Sequence, residues 1–222
     1  MPDTVLVVAV HPDDETLGCG GTLLKHREQG DMIHWLIVTG ITVNGGFSQE
    51  QVTRRAEEIE TVADGYCFSS VHQLNLPTTC LDMLPRKDLV RKISEVFQLI
   101  KPDILYLPFS NDVHSDHRVA FECTYSCTKV FRYPYIRKIC LMETLTETEF
   151  APANAPSFTP NLFVNITEQM EKKLEILALY PSEMGQHPFP RSAETTRALA
   201  MFRGSSANCD YAESFMLLKE IR

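Results

Sequence analysis

The chain has 222 residues, which suits one α/β domain, and 44% of them are hydrophobic, enough for a sizeable core. Its formal net charge of −8 excludes a nucleic-acid footprint, which needs a basic surface to neutralise phosphates. The seven cysteines are scattered and include no C-x-x-C pair, so free thiols in a reducing compartment are expected instead of a disulfide framework.

The first apolar run, residues 5–10, is too short to span a membrane and follows no basic region. No membrane partner is expected, and the cytoplasm is the expected location. The run reads as a buried parallel strand and ends in His11-Pro12-Asp13-Asp14-Glu15. Ligands in open α/β sheets bind beyond the carboxyl ends of the strands, which sets His11, Asp13 and Asp14 at the mouth of a crevice. Pro12 holds His11 extended. Two adjacent carboxylates cannot easily serve one spot: one can bind a metal while the other reaches a water. The alternative is a polar turn capping the next helix.

That helix is predicted over residues 17–30, with Gly18, Gly20 and Gly21 letting it lie close to the first strand. The glycine spacing is not a dinucleotide fingerprint. Residues 33–38 form the second strand, with Trp35 in the core and His34 on the other face as a packed or solvated residue. Residues 39–47 form a flexible loop, a candidate substrate lid. Ser48 and Gln51 form a capping box for a helix to about residue 63. A third strand spans residues 71–76. An amphipathic helix covers 88–100, with Leu89, Ile93, Val96 and Ile100 on one side. The next strand, residues 104–107, delivers a second polar stretch, Asn111-Asp112-Val113-His114-Ser115-Asp116-His117-Arg118. His117 opens a helix to about residue 130, in which Cys123 and Cys127 read as small buried hydrophobes. A strand follows at 136–142. Residues 143–160, rich in Thr, Ala and Pro, form an irregular connection and a possible specificity loop. Another strand covers 163–166, Thr167 caps a helix running to Tyr180, and Ser192 caps one to about residue 202. Alternating strands and helices predict a single-domain Rossmann-like three-layer sandwich with a mostly parallel sheet.

The two polar stretches together resemble the PIG-L/LmbE-like family of zinc-dependent N-deacetylases. The first motif reads Val10-His11-Pro12-Asp13-Asp14-Glu15, with Val where the family has Ala or Pro, and the second His114-Ser115-Asp116-His117. The likeness continues through residues 16–23 and returns in Phe202-Arg203-Gly204 and residues 211–215. It implies one domain over 1–222, with the motifs in about 1–142 and a C-terminal part, about 143–222, closing over the site. It also implies a homo-oligomer, a trimer or hexamer. The catalytic zinc would take His11, Asp14 and His117, a set that also suits ferrous iron or another divalent ion. Asp13 is then the base that takes the water proton and returns it to the leaving amine. His114 stabilises the oxyanion or assists as an acid, and Asp116 orients His114 and keeps it protonated; Asp112, outside the motif, is the lesser orienting candidate. Arg55 is the substrate-binding candidate, Arg54 its alternative, and Arg191, Arg203 and Tyr211 are weaker ones. The implied activity is removal of acetyl from an N-acetylglucosamine-type sugar or conjugate. The alternatives are hydrolysis of another small amide and a catalytically silent metal- or sugar-binding module.

Overall fold

A computed structural model describes residues 2–222. The chain runs β1 (Thr4–Ala9), α1 (Asp14–Glu28), β2 (Met32–Gly40), α2 (Gln49–Tyr66), β3 (Ser70–Pro77), α3 (Arg86–Ile100), β4 (Ile104–Leu107), α4 (Ser115–Ser126), β5 (Lys138–Met142), β6 (Leu162–Asn165), α5 (Met170–Leu177), α6 (Ala193–Ala207) and β7 (Ala212–Glu220). All seven strands lie in one sheet of order β3-β2-β1-β4-β5-β7-β6. The first five are parallel, and β7 runs antiparallel to both β5 and β6.

Alternation along β1 divides the core. Val5, Val7 and Ala9 face a cluster with Leu23 of α1, Val62 of α2 and Ile176 of α5. Leu6, Val8 and Val10 face the opposite cluster, with Ile93 and Phe97 of α3 and Val119 and Ala120 of α4. Two helical layers therefore enclose the sheet. The strand order reverses on either side of β1 and β4, so a crevice opens beyond their carboxyl ends.

Several boundaries differ from the sequence expectation for identifiable reasons. Helix α1 starts at Asp14, not residue 17, and is kinked at Cys19 (φ −149°). Its glycines make room for other partners than β1: a Cβ on Gly20 would sit 2.4 Å from the Tyr66 hydroxyl, and one on Gly21 2.8 Å from Ile166. Helix α4 starts at Ser115, because the His114 ring, not His117, caps it by accepting the Asp116 N–H. Thr167 does not cap α5; its hydroxyl accepts the Tyr211 N–H instead, and the helix begins at Met170 and ends at Leu177. The capping box of Ser48 and Gln51 is present, and α2 runs on to Tyr66. Ser192 caps α6 as expected, though the helix extends to Ala207. No helix of the described residues is long and apolar enough to cross a membrane.

Candidate active site

The residue after Pro12 explains how two adjacent carboxylates take different directions. Asp13 has φ 135°, a backbone region that L residues rarely occupy, and its carbonyl accepts the first N–H groups of α1. Such strain is retained where surrounding contacts over-determine it. Here the turn sends the Asp13 carboxylate to Arg191 (2.7 Å) and folds Asp14 back on the end of β1, where its Oδ2 accepts the N–H groups of Val10 (2.9 Å) and His11 (2.8 Å).

Asp14 Oδ1 is left without a hydrogen-bond partner, as are His11 Nε2 and His117 Nε2, and all three atoms are buried. Ligand atoms of His11, Asp14 and His117 lie within 4.8 Å of one another. Buried polar atoms without partners are costly, and three of them on residues whose ligand atoms lie this close together suit a divalent cation. A second grouping, His11, His114 and Asp116, meets the same distance limit. It fits an ion less well, because Asp116 already accepts N–H bonds at both oxygens and His114 at Nδ1. Two histidines and a carboxylate with one side open are the donors a catalytic zinc or ferrous site uses.

The surrounding hydrogen bonds fix the ring of His117, a candidate ligand. Asp112 Oδ2 accepts from His117 Nδ1 at 2.9 Å, and Asp112 Oδ1 accepts from Thr148. This leaves His117 Nε2 for an ion, the arrangement typical of metal-bound histidine. Asp112, from sequence the lesser candidate for orienting His114, instead orients His117, a candidate ligand. Burial lowers the His117 pKa, but Asp14 and Asp112 outweigh it and hold the imidazole well above its ordinary value. Burial raises that of Asp14, and the adjoining histidines outweigh it and pull it below the usual carboxylate range. At Asp13 burial dominates and pushes the carboxyl well up, with Arg191 opposing it.

The pairing expected between Asp116 and His114 is not formed. The Asp116 carboxylate accepts from Thr79 N (2.6 Å) and Leu81 N (3.0 Å) and stands 3.5 Å from His11 Nε2. It pins a turn in which Thr79 has φ 60°, unusual for a β-branched residue. The His114 ring instead accepts the Asp116 backbone N–H at Nδ1 (3.0 Å). Burial and the two neighbouring histidines push its pKa down to about 4, so Asp116 does not keep His114 protonated.

A cavity of about 490 Å³ opens over this cluster, and its wall includes His11, Asp13, His114, Glu147 and Arg191. Its size is that of a small-molecule site. Arg55 and Arg54 both line it. The Arg55 guanidinium is committed to the Pro12 carbonyl (3.0 Å), Glu58 (3.0 Å) and Glu183. Arg54 has no ion pair among the described residues. Arg191, ranked low from sequence, bonds Asp13, Glu183 (3.2 Å) and the Thr146 hydroxyl (2.7 Å). Arg203 pairs with Glu143 and the Tyr211 hydroxyl meets Arg197, both away from this cavity. Glu147 was not anticipated. It sits in the irregular connection, where no local pattern marks it.

Fold and cluster together define the class: a single-domain α/β protein with a histidine–carboxylate cluster, a candidate metal site, at the switch point of a mostly parallel sheet. The chain belongs to the PIG-L family, described as GlcNAc-PI de-N-acetylase, whose model matches residues 6–128. It is 28% identical to a diacetylchitobiose deacetylase of Thermococcus kodakarensis over 98% of this chain and 84% of that protein. Its fold is shared with the N,N'-diacetylchitobiose deacetylase of Pyrococcus horikoshii, solved with its inhibitor MPG (TM-score 0.75, 22% identity, 98% and 84% of the two chains). It is shared as well with GalB, the 4-carboxy-2-hydroxymuconate hydratase of Pseudomonas putida (TM-score 0.78, 19% identity, 99% and 98%).

Proposed function

We propose that this chain is a metal-dependent N-deacetylase that removes acetyl from an N-acetylglucosamine-type sugar or sugar conjugate. The observation that carries the proposal is the trio of partnerless ligand atoms on His11, Asp14 and His117, with a separate carboxylate, Asp13, turned away from them. Kinship with deacetylases of diacetylchitobiose supports the substrate class. His11, Asp14 and His117 would hold zinc or ferrous iron, which supplies polarisation of the acetyl carbonyl and acidification of water when bound.

The chain's own residues supply the rest. Asp13 takes a proton from the attacking water as the C–O bond forms. The C–N bond then breaks, the proton passes to the amine nitrogen, and acetate is released. Arg191 orients Asp13 and favours its ionised form against the effect of burial. His114 is neutral, with Nδ1 occupied as an acceptor, so its proton sits on Nε2. From there it donates to the acetyl oxygen as negative charge develops. Asp116 contributes by holding the Thr79–Leu81 backbone and by its approach to His11.

The test is an amine-release assay of the metal-loaded protein on a panel of N-acetyl sugars. At least one N-acetylglucosamine derivative should be turned over, with loss of activity in chelator and recovery on adding metal. Turnover undiminished by chelation, or no amine from any N-acetyl sugar, would overturn the proposal.

A further inference from the structure

Deacetylation turns a neutral amide into an amine that takes a proton, so a cation is born inside the cavity. Most cavity carboxylates are already claimed by guanidinium groups. Asp13 is held by Arg191 at 2.7 Å, Glu58 by Arg55 at 3.0 Å, and Glu183 by both arginines. Glu58 also has buried oxygens without a hydrogen-bond partner, but Arg55 Nε stands 3.0 Å from one of them. Among the described residues Glu147 has no cation so near. Its Oε1 is 3.5 Å from Arg191, the loosest of these contacts, and its Oε2 is buried with no partner at all.

Glu147 is also held in place. The preceding residue, Thr146, accepts from Arg191 Nε, and the following one, Thr148, donates to Asp112, which bonds the His117 ring. The Glu147 carbonyl accepts the Val113 N–H at 3.1 Å, tying it to the loop that carries His114. The carboxylate is thus mounted between the base's arginine and a ligand histidine.

We propose that Glu147 is the recognition residue for the reacting nitrogen, accepting the amide N–H before cleavage and binding the ammonium after it. This rests on the N-deacetylase reading above. An ionised carboxylate only accepts hydrogen bonds, and a buried one without a donor is costly. Among the described residues no side chain supplies a donor to Oε2; Glu147 lines the cavity, and on this proposal the donor belongs to the molecule that enters it. Burial raises the Glu147 pKa, against the opposing pull of His117 and Arg191, in keeping with that missing partner. A hydrogen bond between two charges is stronger than one to a neutral amide, so Glu147 favours the amine product over the N-acetyl substrate.

The experiment compares wild type with Glu147→Gln, which preserves shape and removes the charge. Calorimetric binding of glucosamine to the zinc-loaded protein gives a readout independent of turnover, and KM is measured on the N-acetyl sugar that wild type hydrolyses best. Glucosamine affinity should fall about tenfold or more in Glu147→Gln, while KM changes by no more than about threefold. Glu147→Asp, which keeps the charge, should retain most of the glucosamine binding, so a misfolding Gln variant does not decide the matter. Equal weakening of both ligands would assign Glu147 to a sugar hydroxyl and overturn the proposal, as would unchanged glucosamine affinity. If wild type turns over N-acetyl sugars in either case, the deacetylase reading stands without Glu147; if wild type turns over none, both fall together.

Discussion

Asp13 and Asp14 share a peptide bond and opposite electrostatic directions: burial dominates at one, and histidines outweigh it at the other. Asp13→Asn should therefore keep the bound metal and lose roughly 10²–10⁴ in kcat, the usual worth of a positioned base. Asp14→Asn should weaken the metal itself, and metal content against rate in the two variants separates the roles. Arg191 gives a signed pH prediction. It lowers the Asp13 pKa against burial, so Arg191→Gln raises that pKa and leaves less ionised base at a given pH. The acidic limb of the kcat/KM profile should move to higher pH, and an unmoved limb would detach Arg191 from the base. The residues at this scale were readable in sequence only where contacts are local. His11 and Asp14 are three apart at the end of β1, and His117 comes ten residues after β4 ends, so motif and strand order mark them as the candidate ligand set. Arg191 and Glu147 reach the site from irregular segments, and Asp116 turns toward Thr79 and Leu81 through a loop whose path no pattern reveals.

Helix α1 owes its position to a kink filled from elsewhere in the chain. At Cys19 the helix leaves its regular path, and the freed groups are taken up by one buried ion pair. Glu213 of β7 accepts the N–H groups of Gly21 (2.8 Å) and Thr22 (2.7 Å), while Lys173 of α5 donates to the Leu17 carbonyl (3.0 Å) and to Glu213 (2.7 Å). Glu213→Ala would leave the Lys173 ammonium buried beside unpaired amides. Breaking one side of a buried pair costs about 3–5 kcal/mol, and a denaturant midpoint should show a loss of that order. A loss below about 1 kcal/mol would mean that the kink relaxes without its plug. The same arrangement accounts for what sequence reading missed here. Strand β7 carries buried Glu213 and Ser214 among its apolar residues, so its periodicity is broken and its antiparallel return between β5 and β6 stays hidden. The inner parallel strands β1 and β4 show as plain apolar runs because both their faces are covered.

At the scale of the molecule, the candidate metal joins the end of β1 to the start of α4 across the switch point of the sheet. The core does not need that link, since both apolar clusters form from side chains that exclude the three ligands. Chelation should therefore abolish activity while leaving the chain folded, and metal should add stability by binding the native state alone. At free zinc one hundred times its Kd, the gain is about 2.7 kcal/mol. For a chain of this length that corresponds to a Tm rise of about 5–10 °C. The sign of the pH dependence follows from His117. Asp14 and Asp112 hold its pKa above the ordinary histidine value in the metal-free protein, so an entering ion must displace a proton. Metal affinity, and with it the Tm increment, should be largest in neutral to mildly alkaline solution and shrink as the pH falls. Scanning calorimetry with and without zinc across that range measures both. His117→Ala and Asp14→Asn should lose the increment, whereas Asp13→Asn should keep it. A wild-type Tm indifferent to zinc at every pH, or an increment that persists in His117→Ala, would remove the ion from this site.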